Sequence, residues 1–105
     1  MATKNYRESL DRRLADIEYA AGYLDACLEE GDVGAMLIAL QDVARVHGEL
    51  NHLAAELELN RTALYRMLSE EGNPTLSNIY GALKALGLRL AIEKIDLEDP
   101  DRDAT

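Results

Sequence analysis

Apolar residues recur along the chain at helical spacing in separate stretches, each bounded by residues that start or stop helices. Tyr6, Leu10 and Leu14 return every four residues behind Asn5, which with Glu8 has the form of a capping box. Arg7 with Asp11 and Glu8 with Arg12 stand four apart, as ion pairs on one helix would. From Asp16 onward, Ile17, Ala20, Ala21, Leu24 and Leu28 mark an amphipathic helix, with Glu18, Asp25 and Glu29 opposite and Gly31 as its stop. Asp32 is suited to cap the next helix. Its stripe of Val33, Met36, Leu37, Leu40, Val43 and Ala44 is wide enough to place it at the centre of the core, until Gly48 ends it.

Two shorter helices follow, one over His52 to Leu57 with Asn51 as its cap and one over Arg61 to Ser69 capped by Asn60. Only Glu58 and Leu59 separate them. Gly72-Asn73-Pro74 reads as a turn and Thr75 as a cap, after which Leu76, Ile79, Tyr80, Leu83 and Leu86 define a last helix stopped by Gly87. The period then changes: Leu88, Leu90 and Ile92 alternate with Arg89, Ala91 and Glu93, as in a strand. A lone strand leaves its ladder groups unpaired, and the same strand of a second copy across a twofold axis would satisfy them. The expectation is an all-α bundle of five to six helices with one C-terminal dimerisation strand, forming a homodimer through Leu88, Leu90 and Ile92. Residues 1–31 read as an N-terminal helical extension, 32–87 as the main domain, 88–95 as the strand and 96–105 as a disordered acidic tail.

Composition supports one core. A chain of 105 residues has too little apolar surface for two, and 48% hydrophobic with 30% charged residues is ordinary for a globular protein. Tyr is the only aromatic, so Leu and Ala must supply the packing. The single Cys27 has no intrachain disulfide partner and reads as a small buried hydrophobe in a reducing cytoplasm. No basic-then-apolar leader opens the sequence, and no apolar run approaches the ~20 residues needed to cross a bilayer, so neither export nor membrane insertion is expected. The net charge of −9 opposes nucleic-acid binding, which depends on neutralising phosphates. That charge is uneven: residues 1–33 carry −4, 34–59 carry −3 and 93–105 carry −4, whereas residues 60–92 carry +2.

The basic stretch coincides with a motif. Leu50, Leu53, Ala54, Leu57, Leu59, Leu64, Met67 and Leu68 have the spacing of a helix-turn-helix, with Ala54 at the close approach of the two helices and Leu59 plugging the turn. Asn60, Arg61, Thr62, Tyr65 and Arg66 then lie on or near the exposed N-terminal half of the second helix, the part that enters a major groove. Arg pairs bidentately with guanine, Asn with adenine, and Thr offers a hydroxyl or methyl. The helix N-termini at Asn51 and Asn60 point amide hydrogens at phosphate, and Asn73 in the following turn joins the set. Against this, Arg61 and Arg66 could be merely solvated and Tyr65 a half-buried rim residue.

No enzyme is expected. His47 and His52, with Glu49 and Glu56 nearby, do not share a helical face and are interrupted by Gly48, so they make no metal site. There is no Gly-rich phosphate loop and no supported nucleophile, and no cofactor is implied. The acidic ends serve solubility or the capture of a basic partner, and the amphipathic stretch from Tyr6 to Glu30, with its tyrosines and acidic face, is the candidate partner-facing element.

The sequence resembles the antidote proteins of addiction modules, a branch of the phage-repressor-like helix-turn-helix regulators. The likeness is carried by Tyr19-Ala20-Ala21-Gly22-Tyr23-Leu24, Leu28-Glu29-Glu30-Gly31-Asp32, Leu53-Ala54, Leu59-Asn60-Arg61, the run from Leu64 to Pro74, and Leu83-Lys84-Ala85-Leu86-Gly87-Leu88. It implies a cytoplasmic antitoxin that neutralises a small basic toxin of the RelE/ParE or HigB type. It also implies repression of the shared operon through Asn60, Arg61, Thr62, Tyr65 and Arg66 on operator DNA. One departure is Glu58, where relatives place Gly in the turn; a left-handed backbone there would cost ~1 kcal/mol. The rival readings are a helical protein-interaction module that no longer binds DNA, and a stand-alone regulator without a toxin.

Overall fold

The computed structural model describes residues 3–96, with side chains from Tyr6 onward. Its helices run in the order α1 (Thr3–Leu14), α2 (Ile17–Glu29), α3 (Val33–Val46), α4 (Leu50–Glu56), α5 (Arg61–Met67) and α6 (Leu76–Ala85). The described fold is all-α. The expected disorder of the acidic tail lies, from residue 97 on, outside the described residues.

Most helix starts follow the capping logic of the sequence. The carboxylate of Asp16 accepts the amide of Glu18, that of Asp32 the amide of Ala35, the carboxamide of Asn60 the amide of Ala63, and the hydroxyl of Thr75 the amide of Asn78. Two expected caps fail. α1 begins at Thr3, so Asn5 lies inside the helix; once a turn is nucleated, adding a residue costs little. α4 begins at Leu50 with Glu49 at its cap position, so Asn51 sits in the first turn with its side chain free for another partner.

Four helix ends, those of α2, α3, α4 and α6, share one device. At Gly31, Gly48, Glu58 and Gly87 the backbone turns left-handed, with φ of 74°, 69°, 58° and 80°. At each, the residue itself donates to the carbonyl three back, and the next residue donates to the carbonyl five back. The pairs Gly48–Arg45 with Glu49–Ala44 and Glu58–Ala55 with Leu59–Ala54 are two examples. Three of these four positions are glycine, as the backbone requires; the fourth is not.

α3 is central, as its wide apolar stripe predicts. Leu37, Leu40 and Val43 are fully buried, and the helix packs against α1, α2 and α4, while α4 packs in turn against α5 and α6. One hydrophobic cluster runs from Leu14 at the end of α1 to Leu86 after α6. Cys27 is half-buried against this cluster, and burial pushes its thiol pKa up.

Charged side chains also join α1 to α3, though not in the pairs anticipated. Arg7 reaches Asp42 at 3.5 Å, and Arg45 donates from both terminal nitrogens to Asp11 at 3.1 Å and from Nη2 to Asp42 at 3.0 Å. Asp42 is only 7% exposed, and a carboxylate so placed needs both guanidiniums to offset its desolvation. The hydrogen bond from Arg45 holds the Asp11 carboxyl below its ordinary pKa, and Asp11 and Asp42 raise that of Arg45. His47 donates from Nε2 to the Leu14 carbonyl at 2.8 Å, satisfying a group at the end of α1 that has no helical partner.

No strand is present among the described residues. Leu88 and Leu90 fold back half-buried against the chain's own core, and residues 88–96 carry no ladder. Leu88 donates to the Leu83 carbonyl and makes the apolar contact usual after a left-handed helix stop, so part of the alternation is spent within the chain. Ile92 and Ile95 remain 98% and 60% exposed. No described helix is long and apolar enough to cross a membrane.

Candidate nucleic-acid interface

Leu64 and Leu68 are fully buried and root α5 in the core, with Tyr65 and Met67 half-buried beside them, which leaves Arg61, Thr62 and Arg66 on the exposed face. The Nε2 of Gln41 on α3 donates to the carbonyl of Leu68 at 2.9 Å, pinning the end of α5 from below. The chain then leaves α5 tightly: a Cβ at Gly72 would stand 2.0 Å from the Met67 carbonyl oxygen, so only glycine fits. A Cβ at Gly34, at the start of α3, would likewise stand 2.9 Å from the Glu70 carbonyl oxygen. α5 is therefore held by its inner face, its end and its exit.

On its outer face, Arg61 is the organised residue. Its Nη1 donates to the Asn51 side-chain oxygen at 2.8 Å, and its Nη2 to the Tyr65 hydroxyl at 3.1 Å. The guanidinium carbon lies 5.4 Å from the Tyr65 ring centroid. A guanidinium carries five N–H groups, so three remain for an external acceptor, in an exposed position and with the fork already oriented. Asn51, displaced from its expected capping role, thus bridges the two short helices. Tyr65 is half-buried, one side on the core and its hydroxyl on Arg61.

The remaining residues expected at this face are placed differently. The side-chain oxygen of Asn60 accepts the Ala63 amide at 2.7 Å, leaving its NH₂ group as the free end; a bidentate pair with adenine would need both. Thr62 and Arg66 are exposed on α5. Asn73 is exposed in the loop between α5 and α6. The sequence offered no direct sign of the Asn51–Arg61 bond or of Gln41, since both depend on how neighbouring helices approach. The one available hint was that Asn51 and Arg61 each stand at the start of one of two adjoining short helices.

Electrostatics around the face are mixed. Arg61 and Arg66 stand on α5, but exposed Glu58 lies in the turn and exposed Glu70 and Glu71 follow the helix.

The family of probable addiction module antidote proteins matches residues 5–94, which take in α2 to α6 whole and all but the first two residues of α1. An uncharacterized protein of Haemophilus influenzae is 33% identical over 72 residues, covering 69% of this chain and 73% of its own length. No solved structure matches significantly. With a match that runs nearly the whole length of the described fold, the chain belongs to the family of probable addiction module antidote proteins.

Proposed function

We propose that this protein is the antitoxin of a toxin–antitoxin pair, and that as a homodimer it represses its own operon. In this reading α4, the Glu58–Leu59 turn and α5 form a helix-turn-helix of the phage-repressor kind. Each subunit inserts α5 into one of two successive major grooves of a near-palindromic operator. Its toxin is a small basic protein of the RelE/ParE or HigB type, and the protein acts in the cytoplasm without cofactor or catalysis.

The observation that carries the DNA-binding part is the oriented guanidinium of Arg61, held by Asn51 and Tyr65 at the outer end of α5. An arginine presented in this way suits guanine or phosphate, and Arg66, Thr62 and the free amide of Asn60 supply neighbouring contacts. Asn73 is an outer backbone contact. Dimerisation falls to residues 88–95, where the exposed Ile92 offers an apolar edge to a second copy beside the inward-turned Leu88 and Leu90.

The net charge of −9 and the carboxylate of Glu58 beside α5 favour a second reading, in which the scaffold binds only protein. A mobility-shift titration on the DNA just upstream of the gene, against an unrelated duplex of equal length, separates the two. Specific binding that weakens steeply with salt supports the repressor; its absence, with and without co-purified toxin, supports the protein-only reading.

A further inference from the structure

α2 breaks two local rules of helix stability on one exposed face. Gly22 stands in the helix interior, where glycine is the least favourable residue after proline, yet among the described residues no heavy atom lies within 4 Å of where its Cβ would be. No close packing among the described residues therefore accounts for it. The last turn also carries Glu29 and no basic residue, which opposes the negative end of the helix dipole. Violations of this kind are expected where a surface is kept for binding.

The rest of the face is consistent with that. Glu18, Asp25 and Glu29 fall on one stripe, and among the described residues none has an ion-pair partner. The chain has no Lys or Arg between Arg13 and Arg45 to offset them. Tyr19 and Tyr23 form the neighbouring stripe, their rings stacked at 6.3 Å between centroids, with Tyr19 38% exposed. Gly22 lies between the two stripes, as a floor between an acidic wall and an aromatic one. Tyrosine supplies large contact area with few torsions to freeze, and uncompensated carboxylates select a positively charged partner.

The geometry points to the outer face of α2 as the surface that docks the toxin, through a basic segment of that protein laid across Gly22. Its arginines or lysines reach Glu18, Asp25 and Glu29, and its apolar side packs on Tyr19 and Tyr23. This inference rests on the antitoxin reading and narrows it to one face of one helix.

The test uses the full chain, co-expressed with the tagged product of the adjoining reading frame. Gly22→Leu places a bulky side chain on the floor while improving helix propensity, so the variant folds; Gly22→Ala is the control that keeps the floor shallow. Capture falls about thirtyfold or more for Gly22→Leu and for Tyr19→Ala, the scale of a lost interface anchor, and changes little for Gly22→Ala. The triple change of Glu18, Asp25 and Glu29 to Lys abolishes capture, while thermal unfolding and far-ultraviolet dichroism show each variant folded. Wild-type capture that persists unchanged in folded Gly22→Leu and triple-lysine chains overturns the α2 assignment alone. A wild-type chain that captures nothing overturns the antitoxin reading and this inference with it.

Discussion

Asn51 and Arg61 lie ten residues apart in sequence and 2.8 Å apart in space, so a single side-chain bond spans the turn between α4 and α5. Because the bond is exposed, it contributes little to stability, and its consequence is orientational. Asn51→Ala is expected to leave the melting temperature nearly unchanged while lowering operator affinity about tenfold. Arg61→Ala loses about 1–3 kcal/mol of operator binding if the guanidinium reads a base. Mobility-shift titrations beside thermal melts check both; equal affinity for wild type and Arg61→Ala would remove this arginine from the interface.

Glu58 is the one described non-glycine residue with positive φ. Glu58→Gly relieves the clash of its Cβ with the backbone and raises unfolding free energy by about 1 kcal/mol, less a few tenths for the greater freedom of the unfolded chain. In the repressor reading it also removes a carboxylate from the DNA-facing turn, so DNA affinity at low salt is expected to rise as well. Urea denaturation and salt-dependent titration read the two effects separately.

The clasp between α1 and α3 gives stability a pH dependence. Asp11 has its pKa lowered in the folded state, first by the hydrogen bond from Arg45. Its contribution is therefore full above the ordinary aspartate value of 3.8 and is lost as pH falls through the lower folded value. Asp11→Asn removes this component. The stability difference between wild type and Asp11→Asn, followed by denaturant titration, should shrink steadily as pH drops below 4.

Two glycines should respond in opposite ways to the same change. At Gly72 an added Cβ meets the Met67 carbonyl, so Gly72→Ala distorts the exit from α5 and costs about 1–3 kcal/mol. At Gly22 nothing stands in the way, so Gly22→Ala gains up to about 1 kcal/mol. Paired thermal melts decide it, and destabilisation by Gly22→Ala would contradict the open surroundings of that site.

Local signals were legible in the sequence wherever a single residue decides a local hydrogen bond. Asp16, Asp32, Asn60 and Thr75 cap as their residue types suggest, Gly31, Gly48 and Gly87 stop helices, and the concern over a left-handed Glu58 proves well placed. What failed depended on distant partners. Arg7 and Asp11 turn to Asp42 and Arg45, more than 30 residues away, because the buried Asp42 carboxylate and the partly buried Arg45 guanidinium need opposite charges across the helix interface to offset their desolvation. Asn51 lost its cap because the helix starts two residues earlier than expected, at Leu50, whose burial is worth more than a capping bond. The alternation after Gly87 was real, but part of its apolar side turns to the chain's own core.

α3 touches α2 on one flank and α4 on another, through the buried row of Leu37, Leu40 and Val43. The acidic, tyrosine-bearing face and the face around Arg61 are thereby mounted on one shared rod. If filling the first changes the grip of the second on a duplex by some factor, thermodynamic linkage requires the duplex to change the grip on the toxin by that same factor. Under such coupling the protein would report the ratio of its two ligands, because neither occupancy would be set without reference to the other.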